Sequence, residues 1–383
     1  MVLAVGTDSG TKSMDIFGFD DQTGGVIVDR AIPRDEVTKN PEVVIEELRR
    51  VQEKFGELDC IVASSGYGVP LKKAEDAAVE EVNLATFITK KDLERRLKIV
   101  GLRELMMTMR KANDLNIYFS PGVVQLPTVP EYRKANKIDL GTSDKVYTAA
   151  LAVKDQSERL NLDYRETSLI AVEIGFAYTS AMAIEQGRIT DATAGTAGFP
   201  GYMGLGHMDS ELSYALGNTN EDLSKMSIFQ GGAAYVAGMD PLQTSTEEFV
   251  KRGKTEERRG KGYNLMLESI AKDITSLLPT IIPREIILSG RFTKIPGFMN
   301  DLTKKLEKLF KNLGQTTELV NLKTRGETCK EAAEGAAIVA NGIAGGKHED
   351  LAENMRIKES SGSIFDHLYL TDKYIEKLET FKR

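Results

Sequence analysis

Cysteine and histidine are nearly missing from this 383-residue chain, which has two of the first and three of the second. Cys60 and Cys329 lie far apart without metal-ligand spacing, which argues against a disulfide scaffold or a zinc site and fits a reducing compartment. His207, His348 and His367 form no H-x-x-x-H pair. No apolar run reaches membrane-spanning length, and the N-terminus lacks a basic region followed by an apolar core. The expectation is a cytoplasmic protein without a membrane partner. An excess of positive charge is absent as well. A net charge of -7 and a pI near 5.4 give no global electrostatic reason to bind nucleic acid. Local basic runs do occur, Lys251-Arg252-Gly253-Lys254 and Arg258-Arg259-Gly260-Lys261, but Glu256 and Glu257 sit between them. They read as a solvated loop.

What is present is ordinary globular composition, 41% hydrophobic and 28% charged. The length favours two domains, and the boundary is expected near Lys137, giving 1–137 and 138–383. In the first half, Val26 to Ile32 reads as a strand and Glu42 to Phe55 as a helix with apolar residues at helical spacing. Asp59 to Ala63 is a short buried strand, and Thr89 to Ala112 is amphipathic and helical. Ser64-Ser65-Gly66-Tyr67-Gly68 then falls at a strand's carboxyl end, where ligands of open α/β sheets lie. In the second half, Lys145 to Arg159, Tyr263 to Leu278, Phe298 to Phe310 and Ala332 to Ile343 read as helices. Ser168 to Ile174, Thr179 to Ile184, Glu285 to Leu288 and Glu318 to Asn321 read as strands.

The chain opens on Gly6-Thr7-Asp8-Ser9-Gly10-Thr11-Lys12-Ser13, between an apolar strand (Val2 to Val5) and a second strand running to Phe19. A Walker A loop is excluded, because Thr11 stands where G-x-x-x-x-G-K-[ST] requires glycine and a strand follows instead of a helix. Glycines, hydroxyls, one lysine and one carboxylate in a turn suit a polyphosphate and a metal-bound water. An ordinary hairpin that happens to contain Gly and Thr is the alternative on this segment alone.

Three segments in order resemble the sugar kinase, acetate kinase, Hsp70 and actin superfamily. The first is Gly6 to Ser13 followed by Phe19-Asp20. The second is Leu169 to Gly175 with Gly187-Arg188-Ile189-Thr190-Asp191, similar to the second phosphate hairpin. The third is Ile286-Ile287-Leu288-Ser289-Gly290 followed by Ile295-Pro296-Gly297-Phe298, similar to the adenosine motif. Glu334-Gly335-Ala336-Ala337 is similar to the final helix of the acetate and butyrate kinase branch. The chain as a whole resembles a butyrate-kinase-like family of archaeal type.

The resemblance implies two ribonuclease-H-like α/β domains with a nucleotide cleft between them, ATP and Mg²⁺ as cofactors, and a kinase acting on a small carboxylate or hydroxyl compound. It assigns Thr7, Ser9, Gly10, Thr11, Lys12, Ser13 and Gly175 to the phosphates and Ser289, Gly290 and Arg291 to the adenosine. Asp8 and Glu173 are assigned to the metal. Asp144, in Gly141-Thr142-Ser143-Asp144, stands where relatives place the catalytic base or phosphoryl-facing histidine, and Lys12 would assist it. Capping of the following helix by Thr142, Ser143 or Asp144 is the plainer reading of that run. The sequence departs from the pattern at Gly175-Phe176-Ala177-Tyr178, where relatives carry two or three glycines. It departs again at Arg291, where a second glycine is expected, and at Ser64 to Gly68, which has no arginine. A nucleotide-binding regulatory or assembly protein that has lost efficient catalysis is therefore the rival expectation. A homodimer stays open.

Overall fold

The computed structural model describes all residues except 90, 91, 93, 95–100, 220–222 and 383. It divides into two compact units, each discontinuous in sequence. The first comprises Met1–Ser168, Ile184–Asp191 and Leu322–Arg383; the second comprises Leu169–Ala183 and Ala192–Asn321.

A six-stranded sheet organises the first unit, in the order β3-β2-β1-β4-β6-β5. β1 (Leu3–Ser9), β2 (Ser13–Asp20) and β3 (Val26–Pro33) form an antiparallel meander. β4 (Cys60–Ala63) and β6 (Ile117–Pro121) run parallel to β1, and β5 (Gly68–Lys73) returns antiparallel at the edge. The sheet's core combines Val5, Met14 and Ile16 with Val44, Leu48 and Val51 of the Glu42–Phe55 helix. Within the region expected to be amphipathic and helical, Gly101–Met109 is a helix, and most of residues 90–100 lies outside the described residues. β5 was not expected, since Pro70 and two lysines mask its alternation.

One helix packs on β1, and a second packs on that helix, through small residues. The Glu331–Ile343 helix is rich in alanine and lies so close to β1 that a β-carbon on Gly6 would stand 2.1 Å from the Ala337 amide nitrogen. On the same helix, a β-carbon on Gly335 would stand 2.0 Å from the Tyr147 carbonyl oxygen of the Ser143–Leu160 helix. Glycine is needed at both positions because backbone, not a yielding side chain, occupies the space.

The second sheet has the order β11-β10-β7-β8-β9. β7 (Ser168–Ile174) and β11 (Glu318–Asn321) flank β10 (Glu285–Ser289) in parallel, while β8 (Thr179–Glu185) and β9 (Arg188–Ala194) complete the far side. An aromatic core of Tyr202, Phe249, Phe292 and Phe298 fills the second unit. The basic runs do not form a loop. They belong to the helices Thr246–Thr255 and Glu257–Ser276, where Arg252 pairs with Glu248 and Glu256 at i±4. Gly253 packs on the Tyr263 ring and Gly262 on the backbone of Ala233, so the glycines serve close helix packing. No described helix is long and apolar enough to cross a membrane.

Candidate phosphate-binding site

In the first unit β1 and β2 are joined by a tight turn whose tip, Thr11 and Lys12, is exposed. The strands pair so that Asp8 faces Asp15 and Ser9 faces Met14. Two carboxylates directly opposite on antiparallel strands repel. Here both are almost completely buried, and one cation answers both. Lys330, immediately before the Glu331–Ile343 helix, places its Nζ 2.7 Å from Asp15 Oδ2 and 3.3 Å from Asp8 Oδ2. Burial works against the Lys330 charge, but the two carboxylates outweigh it and raise the ammonium above its ordinary range. The same Nζ lies over the turn, 2.0 Å from where a β-carbon on Gly10 would be. Gly10 thus leaves room for the lysine.

A second cation approaches from β3's end. Arg34 is buried, its backbone amide donates to the Lys12 carbonyl at 2.9 Å, and its guanidinium donates to Ser9 Oγ. Burial pulls this guanidinium below its ordinary range, and Asp8 opposes that shift. Ser13 donates to Asp15 Oδ2 at 3.3 Å. Thr7 is wholly buried, with Oγ1 accepting from the Ser64 amide at 3.4 Å, so its hydroxyl serves the strand junction.

The neighbouring strand end completes the cluster. Ser64 Oγ donates to the Thr7 carbonyl and accepts from the Ser9 amide, both at 3.0 Å. Ser65 donates its amide to Ser143 Oγ at 3.0 Å, and the Ser143 amide donates to the Gly66 carbonyl at 2.8 Å. The first turn of the Ser143–Leu160 helix is therefore docked on the loop that touches the hairpin, and Asp144 sits on that turn. Its carboxylate accepts from Thr142 Oγ1 and from the Lys145 ammonium. Burial alone would raise this carboxyl; Lys145, followed by the Thr142 hydroxyl, prevails and holds it below the ordinary carboxylate range. Asp144 is ionised at neutral pH. The plainer capping reading receives no support from Thr142, which makes no side-chain bond to the helix amides.

In the second unit the predicted residues gather at the carboxyl ends of two adjacent parallel strands. Glu173 on β7 is level with Ser289 on β10, and Ser289 Oγ donates to the Val172 carbonyl at 3.1 Å. Gly290 has φ +92° and approaches the end of β7 so closely that a β-carbon would lie 2.6 Å from the Ile174 carbonyl oxygen. The Gly175 turn closes on itself, its amide donating to the Tyr178 carbonyl at 3.0 Å. Phe176 turns inward, 5.2 Å from the Tyr202 ring centroid, and Tyr178 lies over Gly204. Arg291 stands 6.0 Å from the Phe176 ring.

The first hairpin brings together Ser9, Gly10, Thr11, Lys12, Ser13 and Asp8, with Asp144 on the helix turn docked beside it. Sequence reasoning missed Asp15, Arg34 and Lys330. The hairpin register would have yielded Asp15, since the four residues Gly10 to Ser13 between the paired Ser9 and Met14 set Asp8 opposite it. No local signal marks a lysine more than three hundred positions away. Whether magnesium fits as a direct ligand of this hairpin is decided by Lys330. An ammonium already bridges both carboxylates, and Lys330 with Arg34 balances the charges of Asp8 and Asp15. The hairpin therefore offers a divalent ion no net negative charge, which disfavours direct ligation of magnesium by Asp8. Among the described residues, no group of three or more His, Cys, Asp or Glu is placed to hold a metal ion.

The protein-family comparison covers residues 6–370. The chain belongs to the family described as protein of unknown function, DUF1464. No curated protein matches the sequence. Solved structures are similar in fold. A propionate kinase from Francisella tularensis subsp. tularensis superposes with a TM-score of 0.60 at 12% identity, covering 88% of this chain and 99% of that one. The acetate kinase of Porphyromonas gingivalis gives 0.56 at 14% identity, covering 88% and 98%. The acetate kinase of Entamoeba histolytica gives 0.55 at 12% identity, covering 83% and 95%. The expected fold class is thereby shown: this family member is mixed α/β, with two sheets in the actin-like kinase fold.

Proposed function

We propose that the chain is an ATP-dependent phosphotransferase of butyrate-kinase-like type, acting on a small carboxylate or hydroxyl compound. The observation that carries it is the gathering of Lys12, Arg34 and Lys330 around one glycine-bearing turn, with the ionised Asp144 docked beside it. Phosphoryl transfer is mainly positioning and charge neutralisation, and this set supplies both. The tip amides, Thr11 and Lys12 would cradle the β- and γ-phosphates. Ser289, Gly290 and Arg291 keep their pattern-based assignment to the nucleoside. Magnesium would arrive with the triphosphate, held chiefly by phosphate oxygens, and Glu173 remains the candidate carboxylate for it.

Asp144 separates the acceptors. A hydroxyl must lose a proton as it attacks, and an ionised carboxylate in contact can orient it and take that proton. A carboxylate acceptor has no proton to lose. A second reading, nucleotide binding without turnover, is favoured by the Gly175 turn, whose amide is already given to Tyr178. The test is calorimetric titration with Mg-ATP, paired with a phosphotransfer screen over short carboxylates and sugars, on wild type and Asp144→Asn. Turnover on a hydroxyl compound that falls about 10²–10⁴-fold in the variant, with ATP affinity kept, supports a hydroxyl kinase. Turnover on a carboxylate that changes less than about tenfold supports a carboxylate kinase. ATP binding without turnover on any acceptor supports the second reading, and no nucleotide binding removes both.

A further inference from the structure

We infer that Lys330 is a tethered cation standing in the metal's place at the first hairpin, so that this protein neutralises Asp8 and Asp15 from its own chain. The inference rests on the reading of that hairpin as a phosphate cradle, and it deepens that reading by fixing which charge the cradle uses.

Three observations support it. The two carboxylates face each other in register and are buried, which leaves them in need of a counter-charge inside the protein. Lys330 reaches both from one ammonium, within 3.3 Å, and sits over Gly10 of the turn. Arg34 adds a second fixed cation bonded to Ser9 of the same hairpin. A divalent ion coordinating Asp8 directly, at a ligand distance of about 2.1 Å, would have to share that carboxylate with the Lys330 ammonium, 3.3 Å from its Oδ2. With Lys330 in place, the ammonium and the guanidinium meet the phosphate without a metal bound to Asp8 or Asp15.

The probe is manganese chloride alone, titrated into nucleotide-free protein and followed by the resonance of free Mn²⁺. Wild type is expected to show no site that Asp8→Asn removes. Lys330→Met and Lys330→Gln each remove the ammonium shared by the two carboxylates and are expected to gain a site at least about tenfold tighter than any in wild type. Adding Asp8→Asn to either variant is expected to abolish it. The inference is overturned if wild type already holds Mn²⁺ at a site lost in Asp8→Asn, or if both folded lysine variants gain none. Should circular dichroism show that neither lysine variant folds, the comparison of wild type with Asp8→Asn decides alone. ATP titrations in EDTA and in magnesium run in parallel: absence of binding in both counts against the phosphotransferase reading, while the manganese result still judges Lys330.

Discussion

Two glycine-bearing turns, one in each unit, started from similar sequence patterns and ended as different objects. The first, Gly6 to Ser13, keeps its tip exposed and gathers charge from Arg34 and Lys330. The second, Gly175 to Tyr178, spends its amide on its own carbonyl and buries its phenylalanine in the aromatic core. The same strand-turn-strand pattern thus yields a charged cradle in one place and a packing corner in the other. What separates them is the supply of distant side chains and the size of the residues beside the glycine.

The sharpest way to break this comparison is to strip the first turn of its cations. Lys12→Met with Arg34→Met is expected to lower ATP affinity or turnover about 10²–10⁴-fold, since each charge-assisted contact to phosphate contributes about 1.5–3 kcal/mol. Calorimetry on the folded double variant checks it, and unchanged affinity would remove the first turn from the phosphate site.

Next in size is a pH effect confined to the second unit. Asp273 is fully buried, with Oδ1 accepting from the Phe199 amide at 3.0 Å and Oδ2 unpaired, and burial pushes its pKa up to about 7. The folded value is raised above the ordinary carboxylate value, so the unfolded chain releases this proton first. This residue's contribution to stability is therefore greatest below about pH 4, declines as pH rises from 4 to 7, and is flat above that. Asp273→Asn is expected to gain about 2–4 kcal/mol over wild type at pH 8 relative to pH 4. Denaturant melts at both pH values read the difference, and a gap that does not widen with pH contradicts the assignment.

Glu334→Gln addresses the helix behind the first turn. Glu334 is buried and accepts from Thr324 Oγ1, the Arg325 amide and Arg325 Nε at 2.6–2.9 Å. Because Arg325 is one-third exposed, the expected loss is discounted to about 1–2 kcal/mol of first-unit stability. A thermal melt that shifts only the second unit's transition would be inconsistent with it.

The smallest effect belongs to the second turn itself. Phe176→Leu should cost about 1 kcal/mol of second-unit stability and leave ATP affinity within about twofold. A large loss of affinity in a folded variant would put the ring against the ligand and erase the contrast between the turns.

Much of this was legible in the sequence. Glu42–Phe55, Ser168–Ile174 and Glu318–Asn321 have the bounds that their periodicity indicates. The helices Ser143–Leu160 and Pro296–Asn312 extend their expected spans by a few residues. The charged stretch from Lys251 to Lys261 was misread as a solvated loop because acids interrupt its basic runs. The Glu248, Arg252 and Glu256 spacing carried the helical signal, and Gly253 answers to the ring of Tyr263 on the next helix. The candidate site divides along the same line. Everything within the hairpin could be read from its turn residues and register, whereas Arg34 and Lys330 enter through tertiary contact.

Lys330 also ties the hairpin to the timing of synthesis. Asp8 and Asp15 are made more than three hundred residues before their ammonium, and the alanine-rich helix on which Gly6 rests belongs with that lysine to the segment Leu322–Arg383 of the first unit. At about 5–20 residues per second, the ribosome needs roughly 15–60 s to travel from one to the other. Over that interval the nascent hairpin carries two facing carboxylates with no Lys330 between them.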